Sequence, residues 1–552
     1  MIHLDIDAVL VGIRRVHTSL ELTVLNIYRL EQRIQQYVAA QKMVGLALAV
    51  VQGTEITYAR GFGMTSVEDG GLPVTPHTLF CIGSISKTLT ATLVMRLVEQ
   101  GTLDLDVPIV AYLPGFTFSD PELGQRVTLR HVLSHTTGLP SGGKDFGPRD
   151  PDALRRFVWD ELQRYEFIAE PGDVFLYSNT VIVLAGYVAE VVTGKRYEQL
   201  VQGLVFESLQ MRRSTFDRTV AMTYPLALAH EVGADGALRT KHRFTDNVSG
   251  NPAGFGISST LDLANFALMH LNEGRFGDTR VLSPASVAQM HAPYANLYAP
   301  GVESGYGLAL YTGTYKGVRQ VLHGGLLESY NCFLTLFPDR RVGVILQCNY
   351  DDGSEIVDLV RSIYDDLLDL PRGASRAEVA PLDRSSWPWH VGTYLSVHAG
   401  LARVGIVADL LMLERNGEAT PLTAVGDGLY QVDRTPVGFV PEEAGPTRYL
   451  VIDSQPYRRF ERDTSFVPDP VAWVDYPGTY AEWEIDPSPL HVRVAEGKLY
   501  VKWWGEEVAC TPLSDTSFVS TYGLIEFEAT EDGSVILITG KAARLYRIPP
   551  NT

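Results

Sequence analysis

The sequence is poor in cysteine and in basic side chains. Its 552 residues include four cysteines, Cys81, Cys332, Cys348 and Cys510, and none are spaced as Cys-x-x-Cys. The absence of that spacing excludes a zinc knuckle and favours a reducing compartment. The sequence has 46 Lys and Arg residues and 65 Asp and Glu residues, which gives a formal net charge of −19. We therefore expect neither nucleic acid nor an anionic membrane surface as a partner.

Long apolar runs and the common cofactor motifs are also missing. No window holds 18 uninterrupted apolar residues, so no membrane-spanning helix is predicted. Residues 1–7 carry acids where a signal peptide would carry basic residues, and a cytoplasmic location is the expectation. The sequence has no His-Glu-x-x-His, Walker or Gly-x-Ser-x-Gly motif. We expect no metal and no cofactor.

The most informative stretch that is present is Ser84-Ile85-Ser86-Lys87. Apolar residues at helical spacing over 89–98 predict a helix that begins at Ser84. Positions i and i+3 share one face of a helix, so the Lys87 amine can reach the Ser84 oxygen. That arrangement is typical of a nucleophile with its proton acceptor, although Ser84 alone fits an ordinary helix N-cap equally well. A second Ser-x-x-Lys at 141–144 lies in a Gly-rich loop, and no role is assigned to it.

Two further polar clusters follow along the chain. Tyr177 and Asn179 precede a buried helical pattern, so both side chains can point into one cleft. His323-Gly324-Gly325 follows a strand-like run, and two glycines let a substrate backbone approach a strand edge closely. Considered alone, Tyr177 could equally be a half-buried structural tyrosine at a helix start. His323 could equally be a structural histidine in a hairpin turn, with its ring nitrogens hydrogen-bonded within the protein.

In this order, Ser-x-x-Lys, Tyr-x-Asn and His-x-Gly resemble the motifs of serine hydrolases related to class C β-lactamases and penicillin-binding proteins. That superfamily includes esterases, D-aminopeptidases and other peptidases. The class A motifs are Ser-Asp-Asn and Lys-Thr-Gly after Ser-x-x-Lys, so this chain departs from them at both later positions. Segments 133–140, 252–259 and 305–308 add to the likeness, which covers about residues 31 to 370.

The resemblance implies a role for each matching position. The implied catalytic residues are Ser84 as nucleophile, Lys87 and Tyr177 as the proton-handling pair, and His323 as a further polar group lining the cleft. The implied substrate-binding residues are Asn179, Gly324 and Gly325. The implied oxyanion hole consists of the backbone N–H groups of Ser84 and Leu326.

The sequence leaves open whether Tyr177 or Lys87 accepts the proton. A free tyrosine titrates near ~10, so a phenolate base at neutral pH needs stabilisation by about 4 kcal/mol. An ammonium at about 4 Å in an effective dielectric of about 20 supplies on the order of 4 kcal/mol. A charged Lys87 is therefore strong enough to hold a Tyr177 phenolate. If Lys87 were desolvated and neutral, it would itself be the base.

The length predicts several domains. The predicted fold is an α/β plus all-α β-lactamase-like catalytic domain followed by two small antiparallel, lipocalin-like β-barrels. The predicted boundaries are an N-terminal extension at 1–30, the hydrolase domain at 31–375, and barrels at 386–465 and 470–552. Three recurring elements predict two copies of one barrel module: Gly-Thr-Tyr at 392–394 and 478–480, Thr-Pro-Leu at 420–422 and 511–513, and Phe439 with Phe527.

A catalytic domain with two such barrels resembles the D-aminopeptidase branch of the superfamily. That resemblance implies a peptidase or amidase that forms an acyl-enzyme on Ser84 with a small-molecule or short-peptide substrate. It also implies that an acid of the terminal barrel, Glu482, Glu484 or Asp486, contacts a free amino group. A carboxylesterase of the β-lactamase-like type is the alternative, and a penicillin-binding sensor without turnover is the second alternative. The barrels either gate the site or drive assembly, with a homo-oligomer among the expectations.

Overall fold

The structure is a computed structural model of the chain. It describes residues 27–40, 43–142, 147, 150–233, 235–242, 244–299, 304–350, 355–372, 384–426, 428–441, 445–461, 463, 465–481, 489–503, 505–530 and 533–548. Most of the predicted N-terminal extension, 1–30, lies outside these residues. So do Glu482, Glu484 and Asp486, the acids that we expected to contact an amino group.

An eight-stranded antiparallel sheet, in the order β2-β1-β14-β13-β12-β11-β10-β9, is the base of the catalytic part. Its first strand, β1, pairs with both β2 and the last strand, β14, with Leu46 opposite Cys348 in the second pairing. The strands of this part are β1 Gly45–Gln52, β2 Glu55–Gly63, β3 Leu79–Cys81, β4 His230–Val232, β5 Leu238–Thr240, β6 Ile257–Ser259, β7 Arg275–Phe276, β8 Thr279–Arg280, β9 Ala295–Asn296, β10 Gly305–Tyr306, β11 Tyr311–Tyr315, β12 Val318–Leu327, β13 Tyr330–Phe337 and β14 Val342–Cys348.

The helices of this part fall mostly between β2 and β9 in the chain. They are α1 Ile27–Ala40, α2 Ile85–Glu99, α3 Ile109–Tyr112, α4 Pro121–Gly124, α5 Leu129–Leu133, α6 Ala153–Arg156, α7 Val183–Thr193, α8 Tyr197–Val201, α9 Arg218–Ala221, α10 Asn251–Gly254, α11 Thr260–Leu271, α12 Pro284–His291 and α13 Glu355–Leu368. Short 3-10 or π turns lie at Phe157–Glu161, Leu162–Arg164, Gln202–Phe206, Val248–Gly250 and Pro338–Arg340. Among the described residues, no helix is long and apolar enough to cross a membrane.

The sheet is covered on both faces. Leu48 and Val50 of β1 pack in one cluster with α1 and α13, whereas Ala49 and Val51 pack in the larger cluster that contains α2 and α11. Every residue of β1 is therefore buried, which explains why the strand is a continuous apolar run instead of an alternating one. Strands from both ends of the domain enclose the helical layer, as the α/β plus all-α prediction required.

Two nine-stranded antiparallel sheets follow, and they share one strand order: β18-β17-β16-β15-β23-β22-β21-β20-β19 and β27-β26-β25-β24-β32-β31-β30-β29-β28. In each, the two end strands are separated by a single residue, Leu422 or Cys510. The N–H groups of these residues donate to the carbonyls of Leu411 and Leu499, both at 2.8 Å. Each sheet thus nearly closes on itself, and the prediction of two antiparallel barrels after the catalytic domain is confirmed.

The first barrel is preceded by α14 Trp387–His390 and contains β15 Gly392–Ser396, β16 Gly400–Val407, β17 Leu410–Arg415, β18 Glu418–Pro421, β19 Thr423–Gly426, β20 Leu429–Val432, β21 Thr435–Pro441, β22 Thr447–Ile452 and β23 Gln455–Arg459. The second follows a 3-10 turn at Pro470–Trp473 and contains β24 Gly478–Ala481, β25 Leu490–Ala495, β26 Lys498–Lys502, β27 Glu507–Ala509, β28 Thr511–Pro512, β29 Ser517–Ser520, β30 Gly523–Ala529, β31 Val535–Thr539 and β32 Ala543–Ile548.

Two of the three predicted repeat elements occupy equivalent positions. Gly-Thr-Tyr opens β15 in the first barrel and β24 in the second. In each barrel a phenylalanine stacks on the ring two residues before that glycine: Phe439 on His390, with centroids 3.9 Å apart, and Phe527 on Tyr476, at 4.0 Å. The Thr-Pro-Leu match was misleading, because Thr420–Pro421 ends β18 whereas Thr511–Pro512 forms β28, the counterpart of β19.

Candidate active site

Ser84 lies in a turn between β3 and α2. It is the N-cap of α2, the helix that was predicted to begin at this residue. Gly83 takes a φ of +50°, a left-handed conformation that favours glycine. A Cβ at Gly83 would stand 2.6 Å from the Leu326 backbone nitrogen. The turn that carries Ser84 therefore packs directly against the backbone of β12.

The edge of β12 opens at this point. Its pairing with β11 ends at Leu322 opposite Tyr311, whereas its pairing with β13 continues to Leu327. From His323 onward, one edge of β12 has no β11 partner, and Leu326 has a 65% exposed side chain. The backbones of Ser84 and Leu326 thus lie in neighbouring segments beside the part of β12 that β11 does not pair with, where the oxyanion hole is predicted.

Lys87 is fully buried and its amine has three oxygen partners. Nζ lies 2.9 Å from Ser84 Oγ, 2.8 Å from Asn179 Oδ1 and 2.7 Å from the Ala253 carbonyl oxygen. None of these three partners is a carboxylate. As a neutral amine, Lys87 donates to Asn179 and Ala253 and accepts a hydrogen bond from the Ser84 hydroxyl. Burial lowers the pKa of Lys87 well below its ordinary value, because the charged form loses its hydration and none of these three partners carries a negative charge that would stabilise it.

Tyr177 also lies beside Ser84. A hydrogen bond with the Ser84 side chain stabilises its phenolate, but burial has the larger effect and raises the pKa of Tyr177 to about 12. Lys87 Nζ lies 4.9 Å from the centroid of the Tyr177 ring. The amine therefore faces the ring, and its hydrogen bonds go to the three oxygens already named. This geometry favours a protonated Tyr177 beside a neutral Lys87.

His323 is buried and tied to the protein through both ring nitrogens. Nδ1 lies 2.6 Å from the Gly324 carbonyl and Nε2 lies 3.0 Å from the Tyr306 hydroxyl. Burial lowers its pKa to about 3, so the ring is neutral. Nδ1 then donates and Nε2 accepts from Tyr306. This differs from the expectation that His323 lines the cleft as a polar group, because its side chain is only 2% exposed.

The two glycines after His323 have different surroundings. Gly324 has open space where a Cβ would stand, which fits the expected approach of a substrate backbone. A Cβ on Gly325 would instead collide with the Ile82 carbonyl, two residues before Ser84. Gly325 is therefore required by the packing of β12 on the nucleophile turn, a reason that differs from the predicted one.

Sequence reasoning missed three residues that shape this site, although it quoted the segments in which they lie. The Ala253 carbonyl belongs to the 252–259 segment and Tyr306 to the 305–308 segment. His135 takes a φ of +55°, packs its ring 4.5 Å from the Tyr177 ring, and accepts the Ser178 N–H at Nδ1. The second Ser-x-x-Lys also contributes, since Ser141 Oγ accepts the Asn179 N–H at 3.2 Å, while Lys144 lies outside the described residues.

The surroundings of the two glycines predict unequal effects of the same substitution. Gly325→Ala should lower the midpoint of thermal unfolding, because the new methyl forces β12 away from Ile82. Gly324→Ala should leave the midpoint close to that of the unmodified protein. Differential scanning fluorimetry of both variants measures this, and equal midpoints would contradict the packing described.

Comparison with known proteins agrees with this geometry. The Beta-lactamase family model matches residues 30–363. Penicillin-binding protein 4 of Amycolatopsis lactamdurans is 31% identical over 318 residues, which cover 56% of this chain and 81% of that protein. The octameric penicillin-binding protein homologue from Pyrococcus abyssi shares the fold, with a TM-score of 0.55 at 22% identity over 95% of this chain and 100% of that chain.

A second solved structure, SurE, has a TM-score of 0.62 at 26% identity over 78% of this chain and 98% of its own. The structure of SurE with D-Leu gives 0.59 at 27% identity, over 78% of this chain and 99% of its own. The family match spans more than half of the chain and agrees with the sequence motifs. The chain therefore belongs to the Beta-lactamase family of serine hydrolases.

Proposed function

We propose that the chain is a peptidase or amidase of the D-aminopeptidase type that works through an acyl-enzyme on Ser84. The observation that carries this proposal is the position of Ser84 Oγ, 2.9 Å from the Lys87 amine and beside the Tyr177 phenol, at an open strand edge. A nucleophile between two proton-handling groups is the arrangement that covalent catalysis needs.

Acylation begins with proton transfer from Ser84 Oγ to neutral Lys87 Nζ, while Oγ attacks the acyl carbon. The ammonium so formed keeps the acceptors Asn179 Oδ1 and Ala253 O. The tetrahedral oxyanion accepts hydrogen bonds from the backbone N–H groups of Ser84 and Leu326. Tyr177 then donates its proton to the leaving group, and the Lys87 ammonium restores the phenol.

Deacylation repeats these steps with water. A water molecule attacks the acyl carbon and gives a proton to neutral Lys87. Collapse of the intermediate frees Ser84 Oγ, which takes up that proton. The cycle ends with Ser84 and Tyr177 protonated and Lys87 neutral, the state that the geometry favours.

The structure of SurE with D-Leu supports an acyl group of D configuration for this chain. A panel of D- and L-amino acid 4-nitroanilides, 4-nitrophenyl esters and nitrocefin tests this choice. Steady turnover of D-anilides supports the proposal. Turnover of esters alone identifies the carboxylesterase alternative, and a burst without turnover identifies the penicillin-binding sensor.

The nucleophile is tested by removing its hydroxyl. Ser84→Ala should lower turnover by a factor on the order of 10⁶, as in hydrolases whose catalytic group acts as a unit. Intact-mass analysis should show that this variant no longer forms a fluorophosphonate adduct. Ser141→Ala is the matched control and should still form it. An adduct on the Ser84→Ala protein would mean that another residue is the nucleophile.

The identity of the base is tested by the pH dependence of kcat/KM. Neutral Lys87 is the active form, so the rate should rise as pH passes the lowered pKa of Lys87 and should level off well below pH 10. Tyr177→Phe should lower kcat and keep this rise. Lys87→Arg should abolish activity across the range, because a guanidinium stays charged.

The opposite profile would support the phenolate. In that case the rate would keep rising beyond pH 10, toward the pKa of about 12 that burial gives Tyr177. The rise would then disappear in Tyr177→Phe. That result would overturn the neutral-lysine mechanism without affecting the assignment of Ser84.

A further inference from the structure

Both C-terminal barrels contact the segment that carries Tyr177 and Asn179. We call residues 165–179 the Tyr177 arm. The arm lies between the 3-10 turn that ends at Arg164 and α7, which begins at Val183, and none of its residues is in a helix or strand. Its backbone is held by tertiary contacts: within the catalytic part, the N–H groups of Ile168, Gly172 and Leu176 donate to the carbonyls of residues 135–138, and the barrels add further contacts.

The first barrel contacts the arm through two neighbouring residues of β22. The Arg448 guanidinium pairs with Glu170 at 2.7 Å and with Asp173 at 2.8 Å. The adjacent Tyr449 donates its hydroxyl to Asp173 at 3.3 Å. One cation thus joins two carboxylates of the arm, within seven residues of Tyr177.

Apolar packing accompanies these charges. Tyr449 is 1% exposed and forms one cluster with Ala169 and Val174 of the arm. An isolated surface ion pair stabilises by only about 0–1 kcal/mol. Burial of an aromatic side chain against the same segment adds a contribution that salt does not screen.

The second barrel contacts the arm through the turn between β31 and β32. The Lys541 carbonyl accepts the Glu166 N–H at 3.1 Å, and Lys541 Nζ pairs with the Glu166 carboxylate at 3.1 Å. The next residue, Ala542, is 7% exposed and belongs to the main apolar cluster of the catalytic part. A Cβ on Gly142 would stand 2.8 Å from the Ala542 Cβ.

From Gly142, neighbouring residues and hydrogen bonds lead to the site. Gly142 donates its N–H to Thr180 Oγ1 at 3.1 Å, and its neighbour Ser141 accepts the Asn179 N–H. Asn179 Oδ1 in turn accepts from Lys87. A turn of the last barrel is therefore connected to the catalytic amine by direct contacts.

We propose that the two barrels brace the Tyr177 arm, with Arg448 and the Lys541–Ala542 turn as positioning residues that hold Tyr177 and Asn179 against Ser84 and Lys87. The barrels then act on the chemical step and not on substrate access or assembly, the two roles considered from sequence. Because reacting groups must be held closely, loss of the brace lowers kcat more than it changes KM.

The brace is tested in the full chain with single substitutions and matched controls. Arg448→Ala removes the first contact, and Arg403→Ala removes an ion pair to Glu414 within the same barrel. Lys541→Ala removes the ion pair to Glu166, and with it the pair to Glu526 inside the barrel, while the backbone bond from the Glu166 N–H stays. Its control, Arg544→Ala, removes a pair to Glu528 within that barrel. Each brace variant should lower kcat for 4-nitrophenyl acetate about 10-fold with a KM change under about 2-fold. The controls should match the unmodified protein, and Arg448→Lys should recover part of the loss.

Two further measurements separate positioning from general destabilisation. In an Asp173→Ala, Glu170→Ala background, Arg448→Ala should have no additional effect on kcat, since its partners are gone. Hydrogen–deuterium exchange of peptides covering 172–182 should be faster in Arg448→Ala and Lys541→Ala than in the controls. The exchange measurement does not depend on the proposed reaction, so it still decides the matter if the chain turns over no ester. Unchanged exchange in 172–182, or equal kcat in brace and control variants, would overturn the proposal.

Discussion

The site depends on one buried amine whose three hydrogen-bond partners include no carboxylate. Ser84, Asn179 and Ala253 come from a helix start, an irregular arm and a short helix of the 252–259 segment, and all three meet at Lys87 Nζ. A buried charge without a partner of opposite sign is costly, whereas a neutral amine with hydrogen-bond acceptors is not. The same burial that lowers the pKa of Lys87 raises that of Tyr177. In the mechanism proposed above, environment and not residue type makes Lys87 the base and Tyr177 the acid.

The remainder of the molecule holds these groups at the required distances. The two-sided sheet fixes β12, and α2 lies in the apolar layer on one of its faces. Gly83 and Gly325 allow the nucleophile turn and the strand edge to touch. Tyr177 and Asn179 lie on an arm without helix or strand, which is hydrogen-bonded to residues 135–138 and contacted by both barrels. A helix therefore carries the nucleophile and the lysine, whereas tertiary contacts hold the other two groups.

Much of this could be predicted from sequence because local spacing encodes it. The i, i+3 relation of Ser84 and Lys87 needs only a helix, and Gly-Thr-Tyr with a distant phenylalanine was enough to predict two barrels. The Ala253 carbonyl could not be predicted, since every residue has a backbone acceptor and only tertiary structure selects one. The sequence predicted that the His323 side chain lines the cleft. Its hydrogen bond to Tyr306 could not be predicted, because Tyr306 lies on another strand. The Thr-Pro-Leu match falls on strands that are not equivalent, which the sequence alone does not reveal.

Direct titration of Lys87 tests the account most directly. Protein labelled with ¹³C at the lysine ε carbon, with Lys87→Arg to assign the resonance, reports the charge of this amine by NMR as pH is raised. We predict that Lys87 loses its proton at a pH well below the pH at which the solvent-exposed lysines lose theirs. Lys87 is then largely neutral at the pH values at which the enzyme is active. A Lys87 signal that titrates together with those of exposed lysines, near their ordinary pKa, would contradict a neutral-lysine mechanism.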